Sequence, residues 1–150
     1  MRSALVVLLA SLAVAPVASA RMDNAARLQM VWPASGTVTS TFGSRGGAHD
    51  GIDIGMLRTL RLRAVTAGVV KKTGYVPGYE GYGQIIALDL PGPYTALYAH
   101  LGSVAVRKGQ QVRKGQRLGL AGCTGSCSGT HLHFEIKRRG VSVNPLRFLG

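Results

Sequence analysis

From Gly129 to Ile136 the chain alternates strictly, with apolar Leu132, Phe134 and Ile136 between polar His131, His133 and Glu135. A period of two belongs to a β-strand with one face on a core. Both imidazoles then leave the same face, roughly 7 Å apart at Cα. Groups so placed can share one metal ion, or one can ligate while its neighbour moves protons. The plainer reading is a sheet face that happens to carry two histidines, and this stretch alone leaves the two readings even.

The other histidines shift that balance. The chain has four, and the remaining two are His49 and His100. His49 opens the run His49-Asp50-Gly51-Ile52-Asp53-Ile54-Gly55. Gly51 and the alternation of Ile52 with Ile54 point to a strand rather than a helix. Fully extended, His49 and Asp53 would stand about 13 Å apart at Cα, so one metal site requires a bend at Asp50-Gly51. With that bend, His49, Asp53 and one histidine of the 129–136 strand supply two imidazoles and a carboxylate. Such a set suits a catalytic zinc whose fourth position is left to water.

The chain is punctuated by glycine, 21 in 150 residues, and no window of useful length shows a helical period. Strands are predicted at Thr37–Phe42, Gly51–Ile54, Leu62–Thr66, Gly68–Lys72, Gln84–Leu90, Thr95–Leu101, Arg117–Ala121 and Leu132–Lys137. Val106–Gln110 and Val112–Gln116 nearly repeat at a spacing of six, short enough to be consecutive turns and short strands. No linker or low-complexity block divides the chain. The expectation is one mostly β domain, a twisted antiparallel sheet with a loop-lined groove.

Residues 1–20 read as a signal peptide: Arg2, an apolar run Ala4–Val14, and a small-residue cleavage site Ala18-Ser19-Ala20. Residues 21–31 read as a short lead-in, with a helical turn or two from Asn24 to Gln29, and 32–150 as the folded domain. Removing the leader takes one arginine and no acid from a formal charge of +12, leaving +11. Such a balance favours polyanions, and export makes an acidic cell-envelope polymer a better partner than nucleic acid. No second apolar run approaches a membrane span. The mature protein is expected to be a soluble monomer.

Several motifs in order carry a family resemblance: Thr39-Ser40-Thr41-Phe42-Gly43, His49 through Ile54, Tyr98-Ala99-His100-Leu101, and Gly125 through Glu135. Val112–Gly119 and Val143-Asn144-Pro145 agree with them. Together they resemble the lysostaphin-type zinc peptidoglycan endopeptidases, from about Trp32 to Leu149. The resemblance implies one Zn2+ held by His49, Asp53 and His133, with His100 and His131 beside it as the catalytic pair. It implies hydrolysis of peptide bonds in peptidoglycan stem peptides or cross-links, in the periplasm or at the cell wall. The alternative is a non-catalytic wall-binding or hydrolase-regulating module on the same scaffold. Degenerate members of that kind would be expected to lack some of these residues, and this chain has them all.

Two departures from the family pattern stand out. Leu57–Arg61 replaces the usual Pro-x-Gly-x-Pro-like turn, and Arg58, Arg61 and Arg63 put three positive charges there. These read either as an exposed basic loop or as a contact with an anionic wall polymer. The tyrosine that some relatives carry shortly before the first ligand as an oxyanion partner is missing from Phe42–Ala48, so that role is either empty or filled from elsewhere, with Tyr79 and Tyr82 as the candidates. Finally, Cys123 and Cys127 flank the turn that delivers the 129–136 strand, and in an exported chain two such cysteines are expected to pair.

Overall fold

The computed structural model describes residues 28–150. The predicted leader at 1–20, and the lead-in as far as residue 27, lie outside the described residues. The strands are β1 (Thr37–Ser40), β2 (Ile52–Gly55), β3 (Arg61–Arg63), β4 (Gly68–Tyr75), β5 (Gln84–Asp89), β6 (Tyr94–Val104), β7 (Gln111–Val112), β8 (Arg117–Ala121), β9 (Leu132–Arg138) and β10 (Val141–Val143). All their pairings are antiparallel, in one open sheet whose main path runs β1-β2-β9-β6-β5-β4-β7. β10 pairs with β9, and β8 joins β3 to β6. The mostly β, antiparallel expectation holds.

Apolar residues of alternate positions face one main core. Ile52 and Ile54 of β2, Tyr98 of β6 and Leu132, Phe134 and Ile136 of β9 are all buried there. Tyr98 packs edge-on against Phe134, and its hydroxyl accepts the Val65 amide at 3.0 Å, so even its polar tip is satisfied. The opposite face carries a smaller aliphatic patch of Ile85, Ala87, Leu97 and Ala99, flanked by Val76, Tyr79 and Tyr82. That patch matters because it lies on the face to which β9 turns its histidine and Glu135: Leu97 pairs with Glu135 and Ala99 with His133.

The observed strands differ from the sequence reading mainly at their ends. β1 stops at Ser40, where its register against β2 slips and the chain enters the Phe42–Ala48 turn. β3 begins at Arg61 and stops at Arg63, because Ala64 bonds instead to the turn at Gly115 and Gln116. Arg61 and Arg63 therefore stand on a strand rather than in a basic loop. β10 was too short to show a pattern. It is returned to β9 by Arg139 and Gly140, both at positive φ (52° and 80°), in the two-residue hairpin geometry that matches strand twist.

The near-repeats are two copies of one turn. In each, the glutamine side chain accepts the amide of the arginine three residues earlier, Gln110 to Arg107 at 3.1 Å and Gln116 to Arg113 at 3.0 Å. β7 lies between them.

Candidate metal centre and groove

Cross-strand register builds the centre. Asp53 of β2 pairs directly with His133 of β9, which pairs in turn with Ala99 of β6, next to His100. Because Ile52 and Ile54 take the core side, Asp53 must project to the other face with His133. His49 reaches the same point through the bend expected at Gly51. A Cβ on Gly51 would lie 2.3 Å from the Phe134 carbonyl oxygen, so only glycine lets the chain pass this close to β9.

His49 Nε2, Asp53 Oδ1 and His133 Nδ1 converge, with separations of 3.1, 3.2 and 2.8 Å. All three residues are buried. The backs of the two rings decide their tautomers. His49 Nδ1 donates to the Thr41 carbonyl at 2.8 Å, which leaves a lone pair on Nε2. His133 Nε2 donates to Glu135 Oε1 at 3.0 Å, which turns Nδ1 inward. With both rings neutral, two imidazole lone pairs and a carboxylate oxygen therefore face one another, and a single proton added on His133 Nδ1 can satisfy only one of the contacts. The separations also approach the ~3.3 Å edge of a tetrahedron with bonds of ~2.0–2.1 Å, so the donor set fits a divalent cation such as zinc. These residues could hold a metal ion.

The remaining two histidines border this set. His100 Nδ1 donates to the Thr124 carbonyl at 2.8 Å and His131 Nδ1 to the Gly129 carbonyl at 2.7 Å, so both keep an Nε2 lone pair. His131 Nε2 lies 3.8 Å from Asp53 Oδ1, and the His100 and His131 ring centroids are 4.8 Å apart. At His100 strand β6 changes partner, from β9 up to Ala99 to β8 from Leu101. The residue takes φ +61°, a left-handed conformation that costs an L-residue about 1–2 kcal/mol. Strain of this kind gathers where surrounding structure holds a functional group in place.

A carboxylate supports the centre from behind. Glu135 is fully buried; its Oε1 accepts the Tyr82 hydroxyl at 2.8 Å as well as His133, and Oε2 lies 3.2 Å from Lys137 Nζ without hydrogen-bond geometry. Burial would raise the Glu135 pKa, but the bonds from His133 and Tyr82 and the charge of Lys137 hold it below the ordinary carboxylate range. Burial likewise opposes ionisation of Asp53, and the His133 bond with the neighbouring imidazoles reverses this, keeping it well below its ordinary value. For His133, burial favours the neutral ring, yet the two carboxylates outweigh it and push its pKa up to about 9. Burial lowers the His100 pKa more than the Thr124 bond raises it.

Glu135 shares a strand face with the histidines, so its place was legible in the alternation. Arg45 and Thr124 were not. Arg45 Nη2 lies 2.6 Å from Asp53 Oδ2, which leaves Oδ1 alone facing the imidazoles. It stands in the glycine-rich turn before His49, where no periodicity marks it. Of the tyrosines considered as substitutes, Tyr82 gives its hydroxyl to Glu135, and Tyr79 packs edge-on against Tyr82. Arg58, Arg61 and Arg63 do not line this site.

The centre opens into a groove of about 710 Å³, lined on one side by Thr39, Ser40 and Arg45 and on the other by Ser126–Thr130. Cys123 and Cys127 are disulfide-bonded as expected, with Cα atoms 5.4 Å apart. Cys127 borders the groove with Sγ 3.8 Å from His131 Nδ1, a packing contact because a disulfide sulfur has no proton to give.

A sheet of this topology with a buried His-Asp-His set beside a groove defines a metallopeptidase-type fold, and the chain belongs to Peptidase family M23, whose profile matches residues 47–145. It is 41% identical over 118 residues to the murein hydrolase activator NlpD of Escherichia coli K12, covering 79% of this chain and 30% of that protein. It resembles a zinc containing peptidase from Vibrio cholerae at 29% identity and TM-score 0.66, covering 77% of this chain and 37% of that one. Lysostaphin from Staphylococcus simulans shares the fold at TM-score 0.70 and 24% identity, over 81% of this chain and 52% of that one. The chain spans 30–39% of the length of the first curated relatives it matches. Among the described residues no helix is long and apolar enough to cross a membrane.

Proposed function

We propose that this chain is an exported zinc-dependent endopeptidase that hydrolyses peptide bonds in peptidoglycan, with residues 1–20 as its leader and 32–150 as its catalytic domain. One observation carries the reading: all four histidines gather with Asp53, and His100, His131, His133 and Asp53 line one groove, with the imidazole tautomers set by backbone or carboxylate partners. In this reading His49, Asp53 and His133 hold the ion, which supplies Lewis acidity and a water whose pKa falls towards about 7. Glu135 and Tyr82 fix the His133 ring, and Arg45 keeps Asp53 Oδ1 turned inward. A peptide lying between β1 and the disulfide loop presents its scissile carbonyl to His100 and His131. One of their Nε2 atoms takes the proton of the attacking water and later passes it to the leaving amine; the other, once its Nε2 carries a proton, donates to the developing oxyanion. The small aliphatic patch behind the site lowers the local dielectric and strengthens both effects.

A second reading has its own support. The similarity to a murein hydrolase activator favours a non-catalytic module that regulates other wall enzymes. Zinc content of the purified protein, measured together with release of peptide fragments from isolated sacculi, separates the two. Stoichiometric zinc with turnover supports the peptidase; protein loaded with zinc that yields no product, but stimulates a murein hydrolase on the same sacculi, supports the activator.

A further inference from the structure

We infer that β3, β8 and the hollow beside Trp32 form a second binding surface, for an anionic glycan strand, on the opposite side of β1 from the histidine groove. The first observation is a charge arrangement that folding does not favour. Arg63 of β3 is the register partner of Arg117 on β8, and Arg61 shares the Arg63 face because Leu62 between them is buried. Like charges directly opposite on neighbouring strands cost stability. Among the described residues no side-chain carboxylate pairs with them. Ion pairs between cations and carboxylates among the described residues involve Arg45, Lys71, Lys137 and histidines, and the sequence has no acid from 54 to 79 or from 90 to 134.

The second observation is a hollow of about 520 Å³ at the edge of this face, lined by Trp32, Arg58 and Arg63 together with Ser35, Gly36 and Val38. Its volume falls within the ~300–1,000 Å³ usual for ligand sites. Trp32, the chain's single tryptophan, is 40% exposed, and neither guanidinium covers its ring; among the described residues the cation lying on an aromatic face is Lys72, over Tyr79. An open indole face suits the C–H face of a sugar ring. Paired guanidinium groups suit carboxylate or phosphate, which they can bind through two parallel hydrogen bonds. A flat bilayer meets the exposed arginines but not an indole set in a hollow, whereas a single polymer strand can enter. The ligand class is therefore a glycan bearing acidic groups. Successive residues of β1 separate the sites, Val38 lining the hollow and Thr39 the groove, so both can be filled at once. The inference stands whether or not the groove hydrolyses anything.

The single tryptophan reports on the hollow directly. Titrating the full chain with polygalacturonate should change Trp32 emission, and the apparent affinity should fall by about tenfold or more as salt rises through the range where the Debye length shrinks below ~10 Å. Arg58→Gln/Arg63→Gln should weaken binding by about tenfold or more, the loss expected when two charge-assisted contacts are removed. Arg117→Gln should bind more weakly yet melt at a higher temperature, since it relieves the pairing with Arg63, and this distinguishes lost contact from lost fold. Neutral dextran and phosphatidylglycerol vesicles should leave the emission unchanged. Unchanged affinity in the double variant, binding that does not alter Trp32 emission, an Arg117→Gln protein that melts lower, or vesicles that reproduce the polygalacturonate response would each overturn the proposal.

Discussion

Thr124, inside the loop closed by Cys123 and Cys127, accepts the Nδ1 proton of His100 at 2.8 Å. The same loop leads to Gly129, whose carbonyl holds His131, so one short segment orients both histidines outside the His-Asp-His set. It lies tight against the end of β5: a Cβ on Gly83 would fall 2.3 Å from Thr124 C, and one on Gly125 would fall 2.4 Å from Gly83 N. Thr124 Oγ1 completes the attachment by accepting the Gln84 amide and donating to the Leu101 carbonyl.

Opening the disulfide should therefore act on rate more than on stability. The Cys123→Ser/Cys127→Ser protein is expected to lose about 2 kcal/mol, as for a very short closed loop, and about 10²-fold in hydrolysis from a displacement of ~1 Å. Its zinc content should match the parent. Peptide release by the double variant at the parental rate would leave the bridge as a staple only.

Removing any one of His49, Asp53 and His133 should abolish stoichiometric zinc, because two ligands make an incomplete site. His100→Ala and His131→Ala should keep the metal and lose roughly 10²- to 10⁴-fold in rate. Metal analysis of the five alanine proteins checks the division. Metal-free His131→Ala, prepared under conditions that load the parent, would move His131 into the ligand set.

The left-handed backbone at His100 gives a stability test independent of activity. Alanine inside a strand is ordinarily preferred to glycine by roughly 0.5–1 kcal/mol. At φ +61° the order should reverse, with His100→Gly more stable than His100→Ala by about 1 kcal/mol. Chemical denaturation of both variants, stripped of metal, measures the difference; an alanine protein that is the more stable would mean that the kink relaxes.

The metal-free protein should also respond to pH through His133. Its folded pKa, raised to about 9 from the ordinary histidine value of 6.5, makes the imidazolium between Asp53 and Glu135 a stabilising group. That contribution is complete below about pH 6.5 and is lost as pH rises through about 9. Metal binding needs the unprotonated ring and so grows stronger over the same interval. Melting temperatures should fall for stripped protein from pH 6.5 to 9, while the increment on adding zinc should grow. A zinc increment that shrinks over this range would contradict the assignment of His133.

The period of two around Leu132, Phe134 and Ile136 was enough to place β9 and the face of its histidines, since alternation is a local property that the core enforces. It also placed Glu135 there, although nothing local showed that its carboxylate would meet Tyr82, 53 residues away. The bend at Gly51 followed from reach alone: an extended His49–Asp53 segment cannot close on one ion. The cysteine pair, four residues apart in a turn, was similarly legible from chain geometry.

What the tertiary structure alone decided is which strands lie side by side and in what register. Alternation says that Asp53 and His133 avoid the core, but their becoming direct partners depends on pairing β2 with β9 across 80 residues. The kink at His100 arises because β6 exchanges β9 for β8 at that residue, an event without a composition signal. Arg45 reaches Asp53 only because its glycine-rich turn folds over the sheet edge, and Arg63 meets Arg117 only through the β3–β8 register. These are non-local pairings, set by the summed fit of the whole sheet, and no stretch of sequence contains them.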